Sequence, residues 1–138
     1  MPAAAWLVLL CALQGAALLG RWEYVARRPP TRGAGLLVTL ELDSAAGMDF
    51  SGRVARWFAG DMGVSPAAFG PVSGRIDGAT VTITIPFASA AVARVDVQAR
   101  LVAADTLQIA SSRRGNGPGP FAAGSRFART RRRAATAR

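Results

Sequence analysis

Ala79-Thr80-Val81-Thr82-Ile83-Thr84-Ile85-Pro86 alternates without a break: Val81, Ile83 and Ile85 on one side, threonines on the other. A period of two is what a pleated strand needs to bury one face and wet the other, and β-branched side chains suit it. Asp77-Gly78 stands just ahead. That pair favours a two-residue hairpin turn whose central positions both take positive φ. The stretch is therefore the second arm of an antiparallel hairpin.

The same alternation recurs on either side. Between Val92 and Leu101, Val95, Val97, Ala99 and Leu101 oppose Arg94, Asp96, Gln98 and Arg100. Between Leu36 and Leu42, Leu36, Val38, Leu40 and Leu42 oppose Thr39 and Glu41. Weaker strands are expected at Arg21–Ala26, Met48–Phe58, Val72–Ile76, Thr106–Ser111 and Ser125–Arg131, giving about eight. Ser44–Gly47 and Ala103–Asp105 are read as short turns. Arg27–Gly35, Ala59–Gly70 and Ser112–Gly124 are read as longer loops, and after residue 20 no helical period lasts beyond a turn or two. An eight-stranded meander leaves two open edges, and closure into a barrel removes both. An inside-out membrane barrel would want strands of about ten residues and aromatic girdles; most strands here are shorter, and the chain holds ten aromatic residues. The expected fold is all-β: one small antiparallel up-and-down β-barrel of about eight strands over residues 18–130, preceded by an N-terminal apolar helix.

Ala3 to Leu19 is apolar except for Gln14 and Gly15. An apolar core followed by small residues has the form of an export signal, with cleavage after Ala17 and residues 1–17 removed. The alternative is an uncleaved membrane anchor over residues 3–19, near the lower length for a span, with Arg21, Arg27 and Arg28 flanking it. The expected location is the periplasm or the exterior, or a membrane through that anchor. Cys11 lies inside the run, so a cleaved chain has no cysteine, disulfide or thiolate.

The chain has no His and no Lys; its seventeen cations are all Arg, against eight acidic residues, for a formal charge of +9. So basic a balance attracts polyanions. Lacking His removes the usual neutral-pH base and the commonest metal ligand, and no metal, cofactor or enzymatic activity is expected. Most acids stand at turns, where turn chemistry accounts for them; Asp43 and Asp49 flank one turn and are the only pair considered for hydrolysis. Gly115 to Pro120 is glycine-rich but lacks the Lys of a phosphate loop, and its prolines remove donors. It is read as a flexible surface loop. Arg131, Arg132 and Arg133 belong to a basic tail over residues 131–138, expected to be disordered and to touch anionic surfaces.

Gly20-Arg21-Trp22 opens the first strand, and Arg126-Phe127-Ala128-Arg129 forms an Arg-rich last one. This resembles the closure of the calycin barrels, the lipocalin and avidin families. In those, Gly-x-Trp begins strand one and a cation from the final strand lies across the indole. The resemblance implies Trp22 with Arg129 as the closing pair, a cation–π contact worth roughly 0.5–2 kcal/mol. Further lipocalin motifs and the pocket tryptophans of avidins are missing, so biotin binding is not implied; carriage of a small apolar ligand is.

Trp57, Phe58, Met62 and Phe69 are expected at the barrel mouth, as a cap or as a lid. The leading functional expectation is an exported binding protein holding a small apolar or amphipathic ligand there. The alternative is an envelope interaction module that contacts anionic lipid, polysaccharide or nucleic acid through its Arg residues. The competing state of the interior is one filled by its own side chains.

Overall fold

Every stretch with period-two spacing becomes a strand. The computed structural model describes residues 14–26, 35–88 and 94–130. It contains β1 (Gly20–Val25), β2 (Leu36–Ala46), β3 (Asp49–Ala59), β4 (Met62–Gly63), β5 (Val72–Asp77), β6 (Thr80–Ile85), β7 (Val95–Ala103), β8 (Thr106–Arg114), β9 (Gly117–Pro118) and β10 (Arg126–Thr130). Eight of these form one ring in the order β1-β2-β3-β5-β6-β7-β8-β10, closed where β10 pairs with both β8 and β1. All pairings are antiparallel, and the two-residue strands β4 and β9 only extend the ends of β3 and β8. The ring is a closed up-and-down barrel with no exposed edge among its eight strands.

The apolar sides of the strands face inward. Val38, Leu40, Val72, Ile76, Val81, Ile83, Ile85, Val95, Val97, Leu107, Ile109 and Phe127 are almost wholly buried in one cluster. Burying such a side chain stabilises the fold by about 1.5–3 kcal/mol each before conformational entropy is set against it. Thr80, Thr82, Gln98 and Arg100 face water on the outer wall.

Two bulges adjust this alternation in the β2–β3 pair, and the β7–β8 pair carries two more. Val54 opposes Leu40 while Arg56 opposes Thr39, so Ala55 is an extra residue in β3. A one-residue insertion exchanges the two faces beyond it. Phe50 and Val54 point inward at even positions, yet past Ala55 it is Trp57 that turns in and Phe58 that turns out. The second bulge leaves Asp43 unpaired between Leu42 and Ser44. It carries β2 on to Ala46, so the turn read at Ser44–Gly47 lies instead at Gly47-Met48.

The hairpin expected at Asp77-Gly78 is present one residue later. Asp77 still pairs with Thr80, the turn residues are Gly78 and Ala79, and only Gly78 has positive φ, at 63°. Glycine at the first central position relieves the second of any need for positive φ.

The apolar helix expected ahead of the barrel falls on a stretch that lies almost wholly outside the described residues. Residues 1–13 lie outside the described residues. The chain enters β1 through a three-residue 3-10 turn, Ala16–Leu18, after which Leu19 is already extended. The reason is packing. Gly15 donates its N–H to Gly47 O at 3.0 Å, and a Cβ on Gly15 would lie 2.5 Å from Asp49 O and 2.7 Å from Gly47 O. The chain is pinned against the β2–β3 hairpin and must turn there, which drops Leu18 fully buried into the barrel end.

Candidate functional site

The barrel has two ends, and different chemistry closes each. At the base, where β1 begins and β10 finishes, Trp22 is directly opposite Arg129. The Arg129 guanidinium carbon lies 4.7 Å from the centre of the Trp22 ring. Trp22 is fully buried, and its Nε1 donates to Leu18 O at 2.8 Å. Arg129 Nη2 donates to Ala17 O. The last carbonyls of a helical turn lack partners of their own, and here the two closing side chains supply them. Arg129 Nε has no partner among the described residues. Burial holds this guanidinium below its ordinary pKa, with Asp105 acting the other way. Gly20 completes the base: its φ of 138° is a conformation that side-chain-bearing residues rarely adopt.

At the mouth the closure is aromatic. Trp57 and Phe69 stack with centroids 5.0 Å apart, Phe87 lies 5.0 Å from Phe69, and Phe121 lies 5.7 Å from Trp57. Tyr24 extends the cluster edge-on to Phe121 at 5.0 Å, and Phe127 lies tilted against Phe121 at 5.2 Å. Arg114 caps it with its guanidinium 5.2 Å above Phe87. Of the four residues expected at the mouth, the structure places Trp57 and Phe69 inside it, 7% and 8% exposed. Phe58 and Met62 lie on the outer wall, 43% and 74% exposed, where Phe58 sits beside Leu37 of β2.

Sequence reasoning missed how the mouth is held. Phe121 lies in the stretch read as a long loop, with little to mark it apart from its own apolarity. Gly115 to Pro120 does not form an irregular loop: Gly117 and Pro118 pair back onto β8, and Gly119 N–H bonds to Ser112 O at 2.9 Å. Ser112 Oγ then accepts from Phe121 N–H at 3.0 Å and donates to Phe121 O at 2.8 Å, fixing that ring in the plug. Tyr24 Oη donates to Ser125 Oγ at 3.2 Å and accepts from Ala122 N–H at 3.3 Å.

On the outer wall Glu41 lies between two cations, with Arg53 Nη2 at 2.7 Å and Arg21 Nη1 at 3.5 Å. The bond to Glu41 raises the Arg53 pKa further. Arg94 pairs with Asp96 at 3.2 Å. Arg56, Arg75, Arg100, Arg113 and Arg126 are exposed and make no ion pair among the described residues. Two grooves lie on this wall: one of about 480 Å³ beside Ser51, Ser73, Arg75, Thr82 and Thr84, one of about 470 Å³ beside the Arg21–Glu41–Arg53 group. Asp43 is the extra residue of a bulge, and Asp49 sits opposite Arg75 on β5, so each has a structural place. Among the described residues no cluster of three or more acids is arranged to hold a metal ion, and no helix is long and apolar enough to cross a membrane. The tail with Arg131, Arg132 and Arg133 lies outside the described residues.

No protein-family model matches the chain, and neither the curated proteins nor the solved structures include a similar one.

Proposed function

We propose that this chain is a non-enzymatic barrel of the cell envelope that works through its outside, holding an anionic surface with Arg side chains. The packed interior carries this reading. An eight-stranded barrel can be filled by its own side chains or can hold one small ligand, and a binding pocket normally offers a few polar anchors among apolar walls. Here aliphatic side chains fill the middle, Trp57, Phe69 and Phe121 occupy the mouth, and Leu18 and Trp22 occupy the base. A small ligand would have to displace several of them.

What remains is a wall of Ser, Thr and Arg. Ten Arg and all eight acids fall in the described residues, nearly balancing (+10 against −8). The other seven Arg stand at Arg27, Arg28, Arg32, Arg131, Arg132, Arg133 and Arg138. Excess charge is thus concentrated in two short segments, which favours contact with a polyanion over a balanced protein surface.

The test is binding to anionic vesicles, an acidic polysaccharide and single-stranded nucleic acid as ionic strength rises. Affinity for at least one should fall steeply with salt, because the contact is screened. Binding to none of the three, or a small apolar molecule found one-to-one with the protein by native mass spectrometry, would replace this reading with a ligand carrier.

A further inference from the structure

Most arginines among the described residues have a ring or an acid close by. Arg114 and Arg129 lie over Phe87 and Trp22. Arg21 and Arg53 share Glu41, and Arg94 holds Asp96. Arg75 is directly opposite Asp49, Arg113 is directly opposite Asp96, and only Thr39 separates Arg56 from Glu23. Arg100 and Arg126 differ. The register sets Thr80, Arg100, Gln108 and Arg126 side by side across β6, β7, β8 and β10, with Val25 of β1 next after Arg126. Gln108 and Arg126 meet only because β10 closes the barrel onto β8. Asp77 ends the row beyond Thr80. Glu23, opposite Ala128, and Asp105, in the β7–β8 turn, stand toward the base from it.

Arg100, Gln108 and Arg126 are exposed, and their side chains make no hydrogen bond or ion pair among the described residues. Neighbouring strands are about 4.8 Å apart, so the two Arg backbones are about 10 Å apart with one carboxamide between them. Resting on the outer-surface reading, we infer that Arg100, Gln108 and Arg126 form a site for a phosphate group carrying two negative charges, free or as a monoester. Guanidinium forks donate in pairs to phosphate oxygens, and the carboxamide adds a neutral donor between them. Two cations match a dianion. A carboxylate or a phosphodiester brings one charge and leaves one Arg unneutralised.

The experiment titrates the full chain with inorganic phosphate at constant ionic strength, following the Gln108 side-chain amide by NMR, and separately with vesicles containing phosphatidic acid. Phosphate should shift the Gln108 signals. Arg100→Gln and Arg126→Gln should each weaken binding about threefold, and the double variant about tenfold, as expected for exposed charge pairs. Arg56→Gln with Arg75→Gln removes the same charge elsewhere on the wall and should leave binding as it is. Because phosphate gains its second charge near pH 6, affinity should be lower at about pH 5 than at about pH 7.5; the chain has no His to titrate in that range. Binding to the vesicles alone, lost in the Arg100/Arg126 variant, would make a lipid headgroup the source of the phosphate. Neither probe binding at this row, equal loss in the Arg56/Arg75 variant, or an affinity unchanged by pH overturns the inference. Salt-sensitive binding to a polyanion that persists in the Arg100/Arg126 variant then keeps the outer-surface reading. Phosphate held at the row by a chain that binds no polyanion keeps the site and removes the broader reading.

Discussion

Arg129 lies over Trp22, and the two side chains donate to neighbouring carbonyls of one 3-10 turn, Arg129 to Ala17 and Trp22 to Leu18. First strand, last strand and the segment ahead of them are thereby tied at a single point. Replacing Trp22 with Ala empties the base and should cost about 3–5 kcal/mol of stability. Arg129→Met keeps the bulk and loses the charge, for about 0.5–2 kcal/mol. Because both act on the same turn, the double variant should lose less than the two losses added together. Urea denaturation of the four proteins measures this, and strict additivity would show that the residues close the base independently.

Gly15 tests whether the segment ahead of β1 belongs to the fold. A methyl group there meets backbone oxygens of Gly47 and Asp49, which cannot rotate away. Gly15→Ala should destabilise the protein by about 1–3 kcal/mol, the usual range for overpacking. A thermal midpoint within error of the parent would mean that the segment is only laid against the barrel.

Inside the barrel, the Phe50 ring lies across Gly74 of β5, its partner in the sheet. A Cβ at Gly74 would overlap that ring and Thr82 O. Gly74→Ala should therefore cost about 1–3 kcal/mol. Adding Phe50→Leu should return part of that loss, although Phe50→Leu alone is destabilising. The sign of this coupling is the readout; a double variant worse than the sum would place the strain elsewhere.

Ser112 makes two hydrogen bonds to the Phe121 backbone with one hydroxyl. Removing it in Ser112→Ala should cost about 1–3 kcal/mol, since Phe121 N–H and C=O lose their partner in a part-buried position. It should also raise binding of a hydrophobic dye at the mouth. Unchanged dye binding would show that Trp57 and Phe69 keep the plug shut by themselves.

Glu41 is partly exposed to solvent between Arg21 and Arg53. Surface ion pairs contribute roughly 0–1 kcal/mol, so Glu41→Gln should scarcely move the denaturation midpoint. It should increase binding to anionic vesicles at low salt by releasing two guanidinium groups. Weaker binding would mean that Glu41 holds these arginines in a useful position.

All eight barrel strands were legible in the sequence, because a face that must be dry and a face that must be wet leave a two-residue rhythm wherever they persist. Val81, Ile83 and Ile85 carry it plainly, and the pairing of Trp22 with Arg129 came from strand parity and a short resemblance. The rhythm does not record where it is interrupted. Bulges at Ala55 and Asp43 are backbone events set by how β2 and β3 twist against each other, so tertiary structure alone put Trp57 inside and Phe58 outside. The same holds for Phe121, whose loop is ordered by Ser112, nine residues earlier in the chain. Whether the interior is hollow or full also depends on how ring shapes from distant strands interlock, and local sequence says nothing of that. Composition specified a dry core and an excess of Arg; only three-dimensional packing brought residues 17 and 129 together at one end of the barrel.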